Sequence, residues 1–166
     1  LVEEILAALD KQSGTSFYST THRITLNRQE LMVTLINQVE RLNRLIHPAD
    51  EEIDLPSYTL HIRYAEGNAF FKDGKAYVDQ DLLIYPLVIR SRQAGDVFVP
   101  LGMQSHKKLS NFLVDEKVPL PEKDKIPLVI NGNGDLIWVA GMRQDNRYKV
   151  RATTKKVAIF ELKLKQ

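Results

Sequence analysis

The feature that most constrains the fold is the stretch IPLVINGNGDLIWVAG, which occupies residues 126–141. Two short apolar runs flank NGNGD, and asparagine next to glycine is the turn sequence that joins two antiparallel strands. Similar short runs occur in PLVIRSR, which begins at Pro86, and in KKVAIFELKLK, which begins at Lys155. The second half of the chain is therefore predicted to consist mainly of β-strands.

One amphipathic helix is expected to interrupt these strands, over about residues 107–116. Leu109, Phe112 and Leu113 have the spacing of a buried helical stripe, and Pro119 would end the helix. The stretch RYKVRA, residues 147–152, alternates between cationic and apolar side chains and is predicted to be another strand.

The first half mixes helix and strand signals. Residues 1–11 have apolar side chains at helical spacing. The segment HRITLNRQELMVTLI fits a hairpin about NRQE, but its leucines also fit a helix; we favour the hairpin, and residues 38–46 are a candidate short helix. YTLHIRYA alternates like a strand, and KDGK predicts a hairpin-like turn before AYVD.

These patterns predict an α+β protein with two modules. Residues 1–81 would form a small module of helix and antiparallel strands with a connector, and residues 82–166 a β-rich, sandwich-like domain with one amphipathic helix. The charge distribution agrees, because residues 1–86 carry 8 basic and 13 acidic side chains whereas residues 87–166 carry 15 and 8. Such an asymmetry is typical of a module that faces an anionic partner, although basic side chains also solubilise a surface.

The sequence gives little support to catalysis within this chain. It contains no cysteine, which excludes disulfides and thiolate chemistry, and its four histidines lack metal-ligand spacing. No glycine-rich phosphate loop and no nucleophile elbow is present. Asp96, which follows Gly95 in a turn, is expected to bond local backbone or to pair with Arg90 or Arg92. The lack of cysteine and of a long apolar run is compatible with a cytoplasmic chain without a membrane partner.

The candidate binding residues are cations that recur on predicted strands. Arg147, Lys149 and Arg151 would project from one strand face, and Arg90 and Arg92 would repeat that arrangement on another. A solvated face usually mixes both signs of charge, so a single sign favours an anionic ligand over ordinary solvation. Lys107 and Lys108 are predicted in the first helical turn, with Ser105 as N-cap, where they oppose the helix dipole and would suit a phosphate.

The aromatic residues indicate which kind of nucleic acid would bind. Phe98, Phe112, Trp138, Tyr148 and Phe160 mostly fall on predicted core faces, and so are not available to stack on unpaired bases. This distribution favours recognition of a folded backbone such as an RNA stem.

An ordered set of motifs resembles one protein family. PLVIRSRQAGDVFVPLGMQSHKKLSNFLVDEKVP, followed by IPLVINGNGDLIWVAGMRQDNRYKV, is similar to the C-terminal domain of bacterial tRNA(Ile)-lysidine synthetase. The motifs are R-x-R, G-D-x-x-x-P-x-G-M, K-K-L-x-x-F, D-x-K-x-P and W-V-x-G-x-R, and the similarity covers about residues 82–160. Residues 1–81 resemble the substrate-recognition region of the family less distinctly.

The resemblance implies a non-catalytic, tRNA-binding part of an ATP-dependent ligase. The family attaches lysine to a cytidine in the tRNA(Ile) anticodon, using ATP bound by an N-terminal adenylating domain that this sequence does not contain. No cofactor is therefore expected in this fragment, and its partners would be tRNA(Ile) and the catalytic domain of the same enzyme. By motif position, Arg90, Arg92, Lys107, Lys108 and Arg143 are implied to contact phosphates of the tRNA body and acceptor stem.

A second hypothesis treats the chain as a protein-interaction or oligomerisation module. Its basic faces would then pair with acidic surfaces, either within one chain or in a homodimer. A stable oligomer indifferent to tRNA would favour this hypothesis over RNA binding.

Overall fold

The structure is a computed structural model that describes Glu3 and residues 16–18, 22–27, 30–35 and 41–166. It divides into two compact units, residues 1–40 and residues 41–166. The helix predicted over residues 1–11 lies outside the described residues apart from Glu3.

The first unit contains a three-stranded antiparallel sheet. Its strands are β1 (Ser16–Tyr18), β2 (His22–Asn27) and β3 (Glu30–Leu35), in the order β1-β2-β3. Asn27 is opposite Glu30 at the end of the β2–β3 ladder. The preference for a hairpin over a helix in this segment is therefore confirmed.

The second unit contains a five-stranded antiparallel sheet in the order β13-β12-β11-β8-β4. Its strands are β4 (Asn43–Ile46), β8 (Leu87–Arg90), β11 (Leu128–Ile130), β12 (Leu136–Val139) and β13 (Arg143–Gln144). The β11–β12 pair is the hairpin predicted from NGNGD, and Gly134 provides the positive φ of 93° in its turn. The short helix considered for residues 38–46 is wrong over residues 43–46, because these pair with β8.

A four-stranded antiparallel sheet has the order β5-β6-β14-β7. Its strands are β5 (Glu52–Asp54), β6 (Tyr58–Glu66), β7 (Ala76–Asp79) and β14 (Lys156–Leu164). The strands predicted on either side of KDGK are present, but they do not form a hairpin. The C-terminal β14 lies between them and pairs with both.

The two sheets share one hydrophobic core. Ile89 and Ile137 from the five-stranded sheet pack in the same cluster as Ile62 and Phe160 from the four-stranded sheet. A second cluster covers the opposite face of the five-stranded sheet, where Phe112 and its neighbours in helix α1 (Leu109–Asp115) pack. The central strands are thus covered on both faces, which explains their continuous apolar runs. The expected β-rich α+β fold is confirmed.

The remaining elements are short. A two-stranded ribbon pairs β9 (Val97–Phe98) with β10 (Lys107–Lys108). Helix α2 spans Leu120–Lys123, and two single-turn 3₁₀ helices span Gln80–Leu82 and Asn146–Tyr148.

The compact units do not coincide with the predicted modules 1–81 and 82–166. Residues 43–46 pair with β8, and β6 and β7 pair with β14. The structure thus divides after residue 40, because strands on both sides of residue 81 share ladders and one core.

Candidate functional site

Arg90 is bound by a carboxylate within its own turn. Its two terminal nitrogens donate to the two carboxylate oxygens of Asp96 at 3.0 and 2.8 Å, and the Gln93 amide donates to Asp96 at 2.7 Å. The Arg90 side chain is only 15% exposed. The expected pairing of Asp96 is confirmed, and this pair stabilises the turn beside β8.

Arg92 lies beyond the end of β8, so it does not share a strand with Arg90 as predicted. Its Nε donates to Asp124 at 2.8 Å, and more than half of the Asp124 side chain is exposed. An ion pair this open to solvent contributes little stability and can exchange for another anion.

The two lysines do not lie in the first turn of the helix, as the sequence had suggested. Lys107 and Lys108 form β10, and the helix begins at Leu109. The Leu109 amide donates to the backbone oxygen of Asp96 at 2.9 Å, so a protein partner already occupies it. Lys108 is the N-cap and provides no side-chain cap, which rules out the predicted cap at Ser105.

Lys107 also forms an ion pair with an acidic residue at the C-terminal end of α1. Its ammonium group pairs with the carboxylate of Asp115, the last residue of the helix. The negative charge that opposes the helix dipole is therefore neutralised by a cation from the neighbouring strand. Lys108, by contrast, is exposed and makes no ion pair with any described residue.

Lys108 and Arg92 line an open cleft of about 680 Å³. Arg41, which sequence reasoning did not single out, lines the same cleft and has no ion pair within the described part of the chain. We call this the helix cleft, and its other charged residues are Asp96 and Asp124. The structure thus brings together three cations from separate segments, although both nearby carboxylates already have arginine partners.

The strand predicted over residues 147–152 is wrong. Asn146–Tyr148 is a 3₁₀ helix that begins at Asp145, whose carboxylate accepts from the Arg147 amide at 2.8 Å. Lys149 makes only an isolated bridge with Val78, so the three cations do not project from one strand face. Tyr148 is buried as expected.

Arg147 is a structural residue in this arrangement. Its guanidinium group bonds the buried Asp145 at 3.0 Å and pairs with Asp135 at 3.3 Å. The hydrogen bond with Asp145 raises the pKa of Arg147 above its ordinary value. The Asp145 carboxylate also accepts from the Val99 amide at 2.8 Å, so this pair ties three segments together.

Arg143 and Lys149 line a second concavity of about 690 Å³. Lys72, Lys75, Phe70 and Phe71 form another part of its lining. We call it the aromatic groove. Arg143 lies with its guanidinium carbon 5.7 Å from the centre of the Phe112 ring. Arg143 and Lys149 make no ion pair with a described residue, and neither does the exposed Arg151 outside the groove.

Phe70 and Phe71 were missed by sequence reasoning. They precede KDGK in the irregular segment between β6 and β7, and both rings contact Tyr77 edge-on, with centroids 5.6 and 5.8 Å away. Two adjacent phenylalanines cannot both face inward from an extended chain, and that was the available signal.

Tyr77 anchors this segment to the sheets. Its hydroxyl donates to Asp73 at 2.7 Å, and the buried amide of Gln144 exchanges two 2.8 Å hydrogen bonds with the Tyr77 backbone. Burial raises the pKa of Tyr77 to about 12, with a further contribution from the bond to Asp73. The same bond lowers the pKa of Asp73 below its ordinary value.

The described residues contain no group of histidine, aspartate and glutamate side chains that could hold a metal ion. Within those same ranges, no helix is long and apolar enough to cross a membrane. The geometry consists instead of two basic concavities on one β-rich unit, one of them lined by exposed aromatic rings.

Two family models match the chain. One is described as the TilS substrate C-terminal domain and matches residues 87–160, and the other as the TilS substrate binding domain and matches residues 1–36. Together they account for more than half of the chain.

Curated relatives agree with the two models. A tRNA(Ile)-lysidine synthase from Parabacteroides distasonis is 36% identical over 164 residues, covering 95% of this chain and 36% of the relative. Another from Clostridium perfringens is 32% identical over 183 residues, covering 99% of this chain and 38% of the relative. The chain thus spans a little over a third of the length of these relatives.

A solved structure, titled "Crystal structure of TILS C-terminal domain", shares the fold. It superposes with a TM-score of 0.64 at 23% identity and covers 75% of this chain and 98% of its own. Both family domains occur in this chain, and both of these relatives are tRNA(Ile)-lysidine synthases. The chain therefore belongs to the tRNA(Ile)-lysidine synthase family and contains the substrate-binding and C-terminal domains of that family.

Proposed function

We propose that this chain is the tRNA-binding part of a tRNA(Ile)-lysidine synthase and that it grips the tRNA body and acceptor stem through phosphate contacts. The reaction, which joins lysine to an anticodon cytidine with ATP, belongs to an adenylating domain outside these 166 residues. Binding by this chain contributes to the reaction by positioning the RNA. A target base that is held in place does not have to reach the reactive groups by chance collision.

The observation that carries the proposal is the set of cations without carboxylate partners. Lys108 in the helix cleft, Arg143 and Lys149 in the aromatic groove, and the exposed Arg151 have no ion pair with a described residue. A phosphate can therefore approach them without displacing an internal partner. Arg41 joins this set, although the sequence did not suggest it.

The predicted cations that already have partners take different roles. Arg90, Lys107 and Arg147 each bind a carboxylate of the protein. Arg92 is intermediate, because its partner Asp124 is largely exposed and can yield to a phosphate. Direct phosphate contact is thus best supported for the free cations.

Salt dependence tests the proposal. Affinity for a tRNA(Ile) transcript, measured by filter binding over a series of salt concentrations, should fall steeply because phosphate contacts release counterions. Lys108→Ala, Arg143→Ala and Lys149→Ala should each reduce the slope of log K against log salt by roughly one. Lys163→Ala is the matched control, because Lys163 lies on β14 and lines neither the helix cleft nor the aromatic groove, and it should leave the slope unchanged. A flat salt response, or equal effects of all four variants, would refute the phosphate grip.

Gel filtration with and without tRNA tests the competing interaction module. Monomeric protein that shifts to a complex on addition of tRNA supports our proposal. A homodimer whose elution does not change when tRNA is added supports the protein-interaction hypothesis instead. Since tRNA is the proposed partner, we also place the protein in the bacterial cytoplasm.

A further inference from the structure

Phe70 and Phe71 are exposed although they are large and apolar. The exposed fractions are 39% for Phe70 and 61% for Phe71, and both belong to the irregular segment between β6 and β7. Two neighbouring aromatic rings in water form a patch that a folded protein ordinarily covers or uses.

Contacts with neighbouring residues hold the Phe70 and Phe71 rings in place. Both pack edge-on against Tyr77, which is fixed at its hydroxyl by Asp73 and at its backbone by Gln144. Tyr77 is itself only 3% exposed and lies on β7. The two phenylalanine rings are thus a preorganised apolar surface, which lowers the entropy lost when a ligand binds.

The rest of the groove favours an anion. Lys72, Arg143 and Lys149 line it without an ion pair to any described residue. Lys75 pairs with Asp73 at 3.4 Å, and among the described residues that line the groove Asp73 is the only acidic one. The combined lining therefore carries a positive charge beside exposed aromatic faces.

An RNA stem cannot use such a surface fully. Its bases are stacked on each other, so a duplex offers phosphates and hydroxyls but no free base face to a phenylalanine. An unpaired segment offers both phosphates for the cations and planar bases for the rings. The groove, at about 690 Å³, falls within the usual range of small-molecule pockets and can admit a base.

We infer that the aromatic groove binds unpaired nucleotides of an RNA, with bases stacked on Phe70 and Phe71 and phosphates on Lys72, Arg143 and Lys149. This inference rests on the proposed function for the class of partner and adds which part of that partner enters this groove. It also differs from the expectation, drawn from the buried aromatics alone, that recognition of a folded RNA backbone is favoured over stacking on unpaired bases.

The test compares a single-stranded octaribonucleotide carrying one 2-aminopurine with the same strand paired to its complement. Stacking on a phenylalanine changes 2-aminopurine fluorescence, so the single strand should respond when the 166-residue chain is added. Phe71→Leu keeps the apolar character but removes the ring, and should weaken binding of the single strand by roughly 5- to 150-fold, the equivalent of about 1–3 kcal/mol per stacked base. Its salt slope and its affinity for the duplex should not change.

Two further variants make the result specific. Phe71→Trp should retain the affinity and the fluorescence change, because it restores a stacking surface. Leu120→Ala removes another exposed apolar side chain, 56% exposed on α2 and outside the groove, and should bind like the unchanged protein. Circular dichroism spectra that match for all variants establish that each is folded.

The outcomes separate this inference from the proposed function. If tRNA binds with steep salt dependence while Phe71→Leu binds the single strand normally, the stacking groove is refuted and the phosphate grip stands. A single strand that binds without a fluorescence change refutes it as well. If neither tRNA nor the single strand binds, both proposals fail.

Discussion

At the scale of single residues, charge is used in this chain for two separate purposes. Asp145 is fully buried and accepts hydrogen bonds from Arg147 and from the Val99 amide. Arg143 and Lys149 flank this region in sequence but line the aromatic groove without an ion pair to any described residue. The alternating pattern of RYKVRA shows where cations occur in the sequence. It does not show which of them form an ion pair with an aspartate in the folded protein.

The first prediction concerns Asp145. Asp145→Ala should lower the free energy of unfolding by about 2–3 kcal/mol, because it removes charge-assisted bonds and leaves the buried Val99 amide unpaired. Urea denaturation measures this difference. Asp124→Ala also removes the partner of an arginine, but at an exposed site, and should cost less than about 1 kcal/mol. Equal losses in the two variants would contradict a structural role for the buried pair.

At the scale of elements, local pairings were predictable and distant ones were not. The β11–β12 hairpin and the Arg90–Asp96 pair each lie within a few residues of sequence, where turn chemistry decides the structure. The placement of β14 between β6 and β7 depends on pairing across most of the chain, which periodicity cannot reveal. The aromatic groove escaped prediction for the same reason, because Phe71 and Lys149 come to line one groove only after the sheets assemble.

The second prediction concerns the β11–β12 hairpin, which approaches the segment before β8 at Gly132. A Cβ added at Gly132 would lie 2.3 Å from the backbone oxygen of Ile84, and the Gly132 amide donates to that same oxygen at 2.8 Å. Gly132→Ala should therefore cost about 3 kcal/mol, through the overlap and the weakened hydrogen bond. Gly134→Ala meets open space and should cost only about 1–2 kcal/mol, from its positive φ. Thermal unfolding that ranks Gly134→Ala as the less stable variant would contradict this account.

At the scale of the whole molecule, the second unit is held together by strands from both sides of the predicted boundary. The shared core joins Ile46, Ile62 and Val78 to Ile89 and Phe160. Composition and charge change near residue 86, so the sequence pointed to a boundary there. Charge describes the surface, however, and cannot show which strands complete a sheet.

The last prediction follows from this division. A fragment of residues 41–166 should fold cooperatively alone, because the described core clusters and the partners of β8 and β14 all lie within it. A fragment of residues 82–166 lacks β4, β6 and β7, which leaves the inner faces of β8 and β14 exposed and both edges of β14 unpaired. It should therefore aggregate or show no cooperative transition in urea. Far-ultraviolet circular dichroism and amide hydrogen exchange on the two fragments measure this. Cooperative unfolding of the 82–166 fragment would show that the charge boundary, and not the sheet pairing, marks the folding unit.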